Sequence, residues 1–137
     1  MAGLTDILII DDDKDLVQAM QIILERHDYG VRTAYNGKQG YDKIQTRPPD
    51  LIILDVMMAT DTEGFDLAYK LKQSPEYRNI PIIMATSFTR TMAEEGPERF
   101  QHIMGESWPV SHLIEKPIDP EVLVAAIKKI LAEFKKE

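Results

Sequence analysis

The chain has 137 residues, enough for one compact domain, and its 44% hydrophobic and 28% charged composition is that of an ordinary soluble globular protein. A net charge of −7 argues against non-specific nucleic-acid binding, and the lack of cysteine excludes disulfides and thiolate metal sites. No stretch approaches the roughly 18 apolar residues of a membrane span, and the N-terminus MAGLTDILII has neither a basic region nor a cleavage-site pattern, so a cytoplasmic protein is expected.

The first β-branched run, DILII (6–10), ends in the triple acid Asp11-Asp12-Asp13. DLVQAMQIILERH (15–27) sets Leu16, Met20, Ile23, Leu24 and His27 on one helical face, so His27 reads as structural, and Asp13 reads as the helix cap. GVRTAY (30–35) alternates like a strand. GKQGYDKIQT (37–46) is a weaker helix, with Tyr41 and Ile44 as its apolar positions and Gly40 lowering its propensity. PDLIILD (49–55) is continuous in apolar residues, as expected of a strand buried on both faces. GFDLAYKLKQ (64–73) places Phe65, Leu67, Ala68 and Leu71 at helical spacing, and IPIIMAT (80–86) is another buried strand. The stretch 87–109 is broken at Gly96-Pro97 and Trp108-Pro109, with helix predicted at 90–95 and 97–104. SHLIEK (111–116) reads as a strand. In DPEVLVAAIKKILAEFKKE (119–137), Asp119 suits an N-cap and Pro120 the first helical position. Leu123, Ile127, Ile130, Leu131 and Phe134 form the buried stripe, while Val124 and Ala125 lie off it, suited to extra core packing or to a contact surface.

Five β-α units in succession imply a doubly wound α/β fold with a five-stranded parallel sheet. The working site of such a sheet lies beyond the carboxyl ends of its strands. Those ends carry Asp11, Asp12 and Asp13 on the first, Asp55 on the third, Thr86 and Ser87 on the fourth, and Lys116 on the fifth. Singly, each is an ordinary loop residue. Together they put several carboxylates, hydroxyls and one ammonium on a single edge. Two carboxylates ~5 Å apart repel by about 3 kcal/mol at an effective dielectric near 20, so three in one pocket accumulate roughly 10 kcal/mol. A divalent cation relieves this, and with only hard oxygen ligands at hand magnesium fits better than zinc. The three histidines, His27, His102 and His112, are scattered and make no metal pattern. Acids, a cation, a hydroxyl and a lysine suit phosphoryl transfer, with Asp55 as a carboxylate nucleophile.

The pieces ILIIDDD, PDLIILDVMM, IPIIMATS and LIEKPIDPEVL, in this order over nearly the whole chain, resemble the receiver domain of two-component response regulators. The resemblance implies a flavodoxin-like (βα)5 receiver fold with strand order 2-1-3-4-5, spanning 1–137 as one domain without an effector domain. It implies that Asp55 is the phosphoacceptor, served by a sensor histidine kinase or a phosphotransfer protein. Asp11 and Asp12 match the Mg2+-binding acidic pair, with Asp55 and the backbone carbonyl of Met57 completing the protein ligands. Thr86 and Lys116 match the hydroxyl and the lysine that contact the phosphoryl group, and the Lys116–Pro117 bond is expected to be cis. No further cofactor is implied. The family acts as a switch rather than a turnover enzyme. It presents a face of fourth helix, fifth strand and fifth helix to a downstream protein or to a second copy as a homodimer.

Several positions depart from the family pattern. Ala59 stands where proline follows the methionine, Gly64 comes later than usual, and Leu113 replaces the switch aromatic. The segment between Thr86 and Lys116 is also longer. Met57 and Phe88 occupy two positions that tune hydrolysis and cannot orient a water there, which predicts a long-lived acyl phosphate. A dehalogenase-type phosphatase would need a second carboxylate where Met57 stands, and no phosphate-binding glycine loop follows the first strand. The remaining alternative is a degenerate receiver that acts as an interaction module without phosphorylation.

Overall fold

The computed structural model describes residues 5–55, 63–86, 112–115 and 118–135. Its elements are β1 (Asp6–Ile10), α1 (Lys14–Arg26), β2 (Gly30–Ala34), α2 (Gly37–Thr46), β3 (Leu51–Leu54), α3 (Glu63–Gln73), β4 (Ile82–Thr86), β5 (His112–Glu115) and a C-terminal helix, here α4 (Pro120–Lys135). The strands form one parallel sheet in the order β2-β1-β3-β4-β5, as expected. The helices predicted at 90–95 and 97–104 lie outside the described residues.

The central strands β1, β3 and β4 are buried on both faces, and strand alternation decides which helix each residue meets. Leu8, Ile10, Ile52, Leu54, Ile82 and Met84 point to one face, against Ile44 of α2 and Leu67, Ala68 and Leu71 of α3. Ile7, Ile9, Leu51, Ile53, Ile83, Ala85 and Ile114 point to the other, against Val17, Met20 and Leu24 of α1 and Leu123, Ile127, Ile130 and Leu131 of α4. Every side chain of the LIIL run in β3 is buried, so its unbroken hydrophobicity has its cause in this two-sided packing.

Local chemistry sets the helix ends. The Asp13 carboxylate accepts the Leu16 N–H at 3.1 Å and caps α1. Asn36 caps α2 through the Gln39 N–H at 2.8 Å, and the Gln39 side chain accepts the Tyr35 N–H at 3.0 Å in return. The Asp119 carboxylate accepts the Glu121 N–H at 2.9 Å, with Pro120 at the first position of α4.

Two packing expectations, for His27 and for the buried face of α1, are corrected, and one left open, for Val124 and Ala125, is decided. His27 is exposed rather than on the apolar face. α1 ends at Arg26, His27 is its C-cap, and Asp28 adopts a left-handed φ of 67°, turning the chain into β2. Val17, absent from the predicted stripe, is buried together with Met20 and Leu24, a 17-20-24 spacing that rotates the buried face of α1. Val124 joins the core, whereas Ala125 is exposed. Gly40, which weakens α2 as a sequence, is a condition of its packing: a Cβ there would lie 2.5 Å from Ile10 Cδ1 and 2.9 Å from Ile10 Cγ1. The glycine lets α2 approach the last residue of β1, directly before Asp11.

Candidate functional site

The order of strands reverses between β1 and β3. The chain leaves β1 for β2 on one side and then crosses to β3 on the other. The carboxyl ends of those two strands therefore diverge into a crevice, where a doubly wound sheet places its ligand. Asp11 and Asp55 stand at that point, and the sheet holds the backbone of both. The Asp11 N–H donates to Ala34 O at 3.0 Å, and the Asp55 N–H donates to Ile10 O at 2.9 Å. Each ladder thus runs one residue beyond its strand and delivers the acid without a flexible loop.

Asp11 is 1% exposed and Asp55 3%, while Asp12 is exposed. One carboxylate oxygen of each of the three lies within 4.8 Å of the others. Asp11 also accepts the Asp13 N–H at 2.9 Å, which fixes the turn between β1 and α1. Asp13, occupied as the α1 cap, is the acid of the triple run that serves the fold. At this spacing each pair of anions repels by about 3 kcal/mol at an effective dielectric near 20. Three hard oxygen donors converging from two buried carboxylates and one at the rim fit a small divalent cation with several remaining water positions.

Thr86 is the last residue of β4 and pairs with Glu115 of β5, so its backbone lies at the same edge as the acids. Lys116 follows β5 directly but, with Pro117, Met57, Ala59 and Phe88, lies outside the described residues. Leu113 pairs with Met84 within β5. Lys14 is the one cation in DDDKD. Its ammonium stands 5.4 Å from the centroid of the Tyr35 ring, beside the end of β2.

A doubly wound α/β domain with an acidic, divalent-cation type of site at its switch point is thereby defined. Residues 7–128 match the response regulator receiver domain, and the chain belongs to that family. It is 32% identical to the response regulator ArlR of Staphylococcus aureus over 128 residues, which are 93% of this chain and 53% of ArlR. The chain thus spans about half the length of that curated relative. Among solved structures, it is similar to a CheY-like response regulator receiver domain protein from Methanospirillum hungatei, with a TM-score of 0.81 and 27% identity over 98% of both chains. It is similar also to the signal receiver domain of a signal transduction histidine kinase from Syntrophus aciditrophicus, with a TM-score of 0.82 and 29% identity over 99% of this chain and 95% of that one. Membership supports a phosphorylation-based signalling role. Among the described residues, no helix is long and apolar enough to cross a membrane.

Proposed function

We propose that this chain is a phosphorylation-dependent switch whose Asp55 accepts a phosphoryl group from the phosphohistidine of a sensor kinase or phosphotransfer protein. The observation that carries the proposal is the convergence of Asp11, Asp12 and Asp55 within 4.8 Å at the switch point. These carboxylates, with the Met57 carbonyl, would hold Mg2+, which when bound supplies charge neutralisation for the phosphoryl oxygens. A carboxylate oxygen of Asp55 attacks phosphorus in line. The new P–O bond forms as the P–N bond breaks, and the imidazole nitrogen keeps the electron pair. Burial keeps the Asp55 carboxylate rigid and limits its solvation, so little reorganisation accompanies attack. Thr86 and Lys116, at the ends of β4 and β5, are assigned to the product's phosphoryl oxygens. The added charge then biases the face around β5 and the C-terminal helix, which a downstream partner or a second copy reads. The chain promotes its own phosphorylation and does not turn over substrate. The cytoplasm is the compartment that fits a kinase partner.

Incubating the whole chain with magnesium and acetyl phosphate, followed by intact mass measurement, tests this. A gain of one phosphoryl group, absent in Asp55→Asn, is the expected result. No gain with any donor would favour the phosphorylation-independent interaction module. Met57 and Phe88 offer no polar group to orient a water, so phosphoryl loss is slow in this reading. Met57→Asn and Phe88→Glu should accelerate it, and unchanged rates would remove that part of the proposal.

A further inference from the structure

We propose that Lys14 is a donor-docking residue: a rim cation, parked over Tyr35, that draws an anionic phosphoryl donor toward Asp55. The inference rests on the assignment of Asp55 as phosphoacceptor. Lys14 is the first residue of α1, where a cation faces the positive end of the helix dipole, so its charge is not there to stabilise the helix. The cap is supplied by Asp13 instead. Around Lys14 stand Asp11, Asp12, Asp13 and Asp15, and Asp55 lies across the crevice, in a chain of net charge −7. A phosphoryl dianion approaching this edge meets repulsion, which one exposed ammonium at the rim offsets.

The geometry puts that ammonium beside the entrance. Tyr35 follows β2, whose final carbonyl, Ala34 O, holds the Asp11 N–H. The Tyr35 N–H is fixed by the Gln39 side chain at 3.0 Å, and its ring packs partly buried against the core of α1 and β1. The ring is therefore a fixed perch, and 5.4 Å from its centroid is within range of a cation–π contact. The contact holds the ammonium off the carboxylates in the resting protein and yields it to a stronger anion. In the sheet order, Lys14 serves the β2 side of the acids, while Lys116 follows β5 at the other end. The ligand class is a terminal phosphoryl group bearing two negative charges, as in an acyl phosphate or a phosphohistidine. Lys14 acts in the encounter and takes no part in bond making.

The test is the rate of phosphorylation of the whole chain against acetyl phosphate concentration, in wild type, Lys14→Gln and Lys14→Arg, at low and high salt. Lys14→Gln should lower efficiency by about threefold to fivefold at low ionic strength, through KM, with the saturating rate unchanged and the difference shrinking as salt screens it. Lys14→Arg should retain the wild-type values. A second readout needs no reaction. In metal-free Asp55→Asn protein, the Lys14 ε-methylene NMR signals, displaced by the Tyr35 ring, should move on titration with inorganic phosphate, and Tyr35→Leu should abolish the initial displacement. An unchanged KM in Lys14→Gln, a loss that salt does not alter, or methylene signals indifferent to phosphate would overturn the inference. A wild-type chain that no donor phosphorylates would instead overturn the assignment of Asp55, leaving the phosphate titration to judge Lys14.

Discussion

The two ends of this sheet treat their acids in opposite ways. At the amino ends of the strands, Asp6 receives the Arg32 guanidinium through Nε at 3.1 Å to both oxygens and through Nη2 at 2.6 Å. Arg32 spends its other donors on Lys43 O at 3.2 Å and Arg47 O at 2.6 Å, the carbonyls at the end of α2. Asp50 accepts the Asp6 N–H at 2.8 Å and returns its own N–H to Asp6 O at 2.8 Å. Two acids and two arginines balance there, and the mostly buried pair ties β1, β2 and α2 together. At the carboxyl ends, three carboxylates gather within 4.8 Å and two of them are buried. One end satisfies its charges and stabilises the fold. The other gathers like charge, an arrangement that suits a divalent cation.

Removing a charge should therefore have opposite signs at the two ends. The largest effect is expected at the amino ends of the strands, here the lower end, the carboxyl ends being the upper one. Arg32→Met leaves a carboxylate at 16% exposure and two helix carbonyls without their donor, and should cost about 3 kcal/mol in urea unfolding. The exposed Arg47, 3.5 Å from Asp6, should contribute little when replaced by Met, within about 0.5 kcal/mol. At the upper end, Asp55→Asn removes one of three mutually repelling anions. The metal-free protein should gain about 2 kcal/mol and lose most of its stabilisation by magnesium, both read from thermal midpoints with and without the ion. A destabilised Asp55→Asn protein would erase the contrast between the ends.

A smaller effect links core to site. Gly40→Ala forces Ile10 aside and should cost about 1 kcal/mol net, because overpacking outweighs the gain in helix propensity. Ile10→Val removes the nearest atom but keeps the γ carbon at 2.9 Å, so the double variant should recover part of the loss. The smallest effect is a pH limb away from both ends. Burial, and then the Glu76 carboxylate beside it, raise the Tyr77 pKa above its ordinary 10.0. The fold thus holds the proton more tightly than the unfolded chain does. Its contribution is complete below pH 10.0 and is lost as pH rises through the folded value. Tyr77→Phe should flatten that alkaline decline, measured by unfolding midpoints across the limb.

Much of this was legible in the sequence. Element order over the described residues, the two-sided burial of β3, the caps Asp13 and Asp119, and the coming together of Asp11, Asp12 and Asp55 all follow from local pattern and from the geometry of parallel sheets. The misreadings have one source. His27 fits the helical period, but the period cannot show that α1 ends at Arg26 or that Asp28 turns the chain away. Val17 was missed because two apolar neighbours, Leu16 and Val17, compete for the buried face, and packing against the sheet decides between them.

The sequence by itself determined which residues are apolar, where strands and helices alternate, and which acids emerge at strand ends, because periodicity and chirality act over a few residues at a time. Only the tertiary structure decided that Gly40 is a point of close approach rather than a weak spot, and that Arg32 closes on Asp6, 26 residues away. The same holds for Lys14 resting on Tyr35 beside the acids. Contacts between residues far apart in the chain depend on how neighbouring elements settle against one another, and no local pattern records that distance.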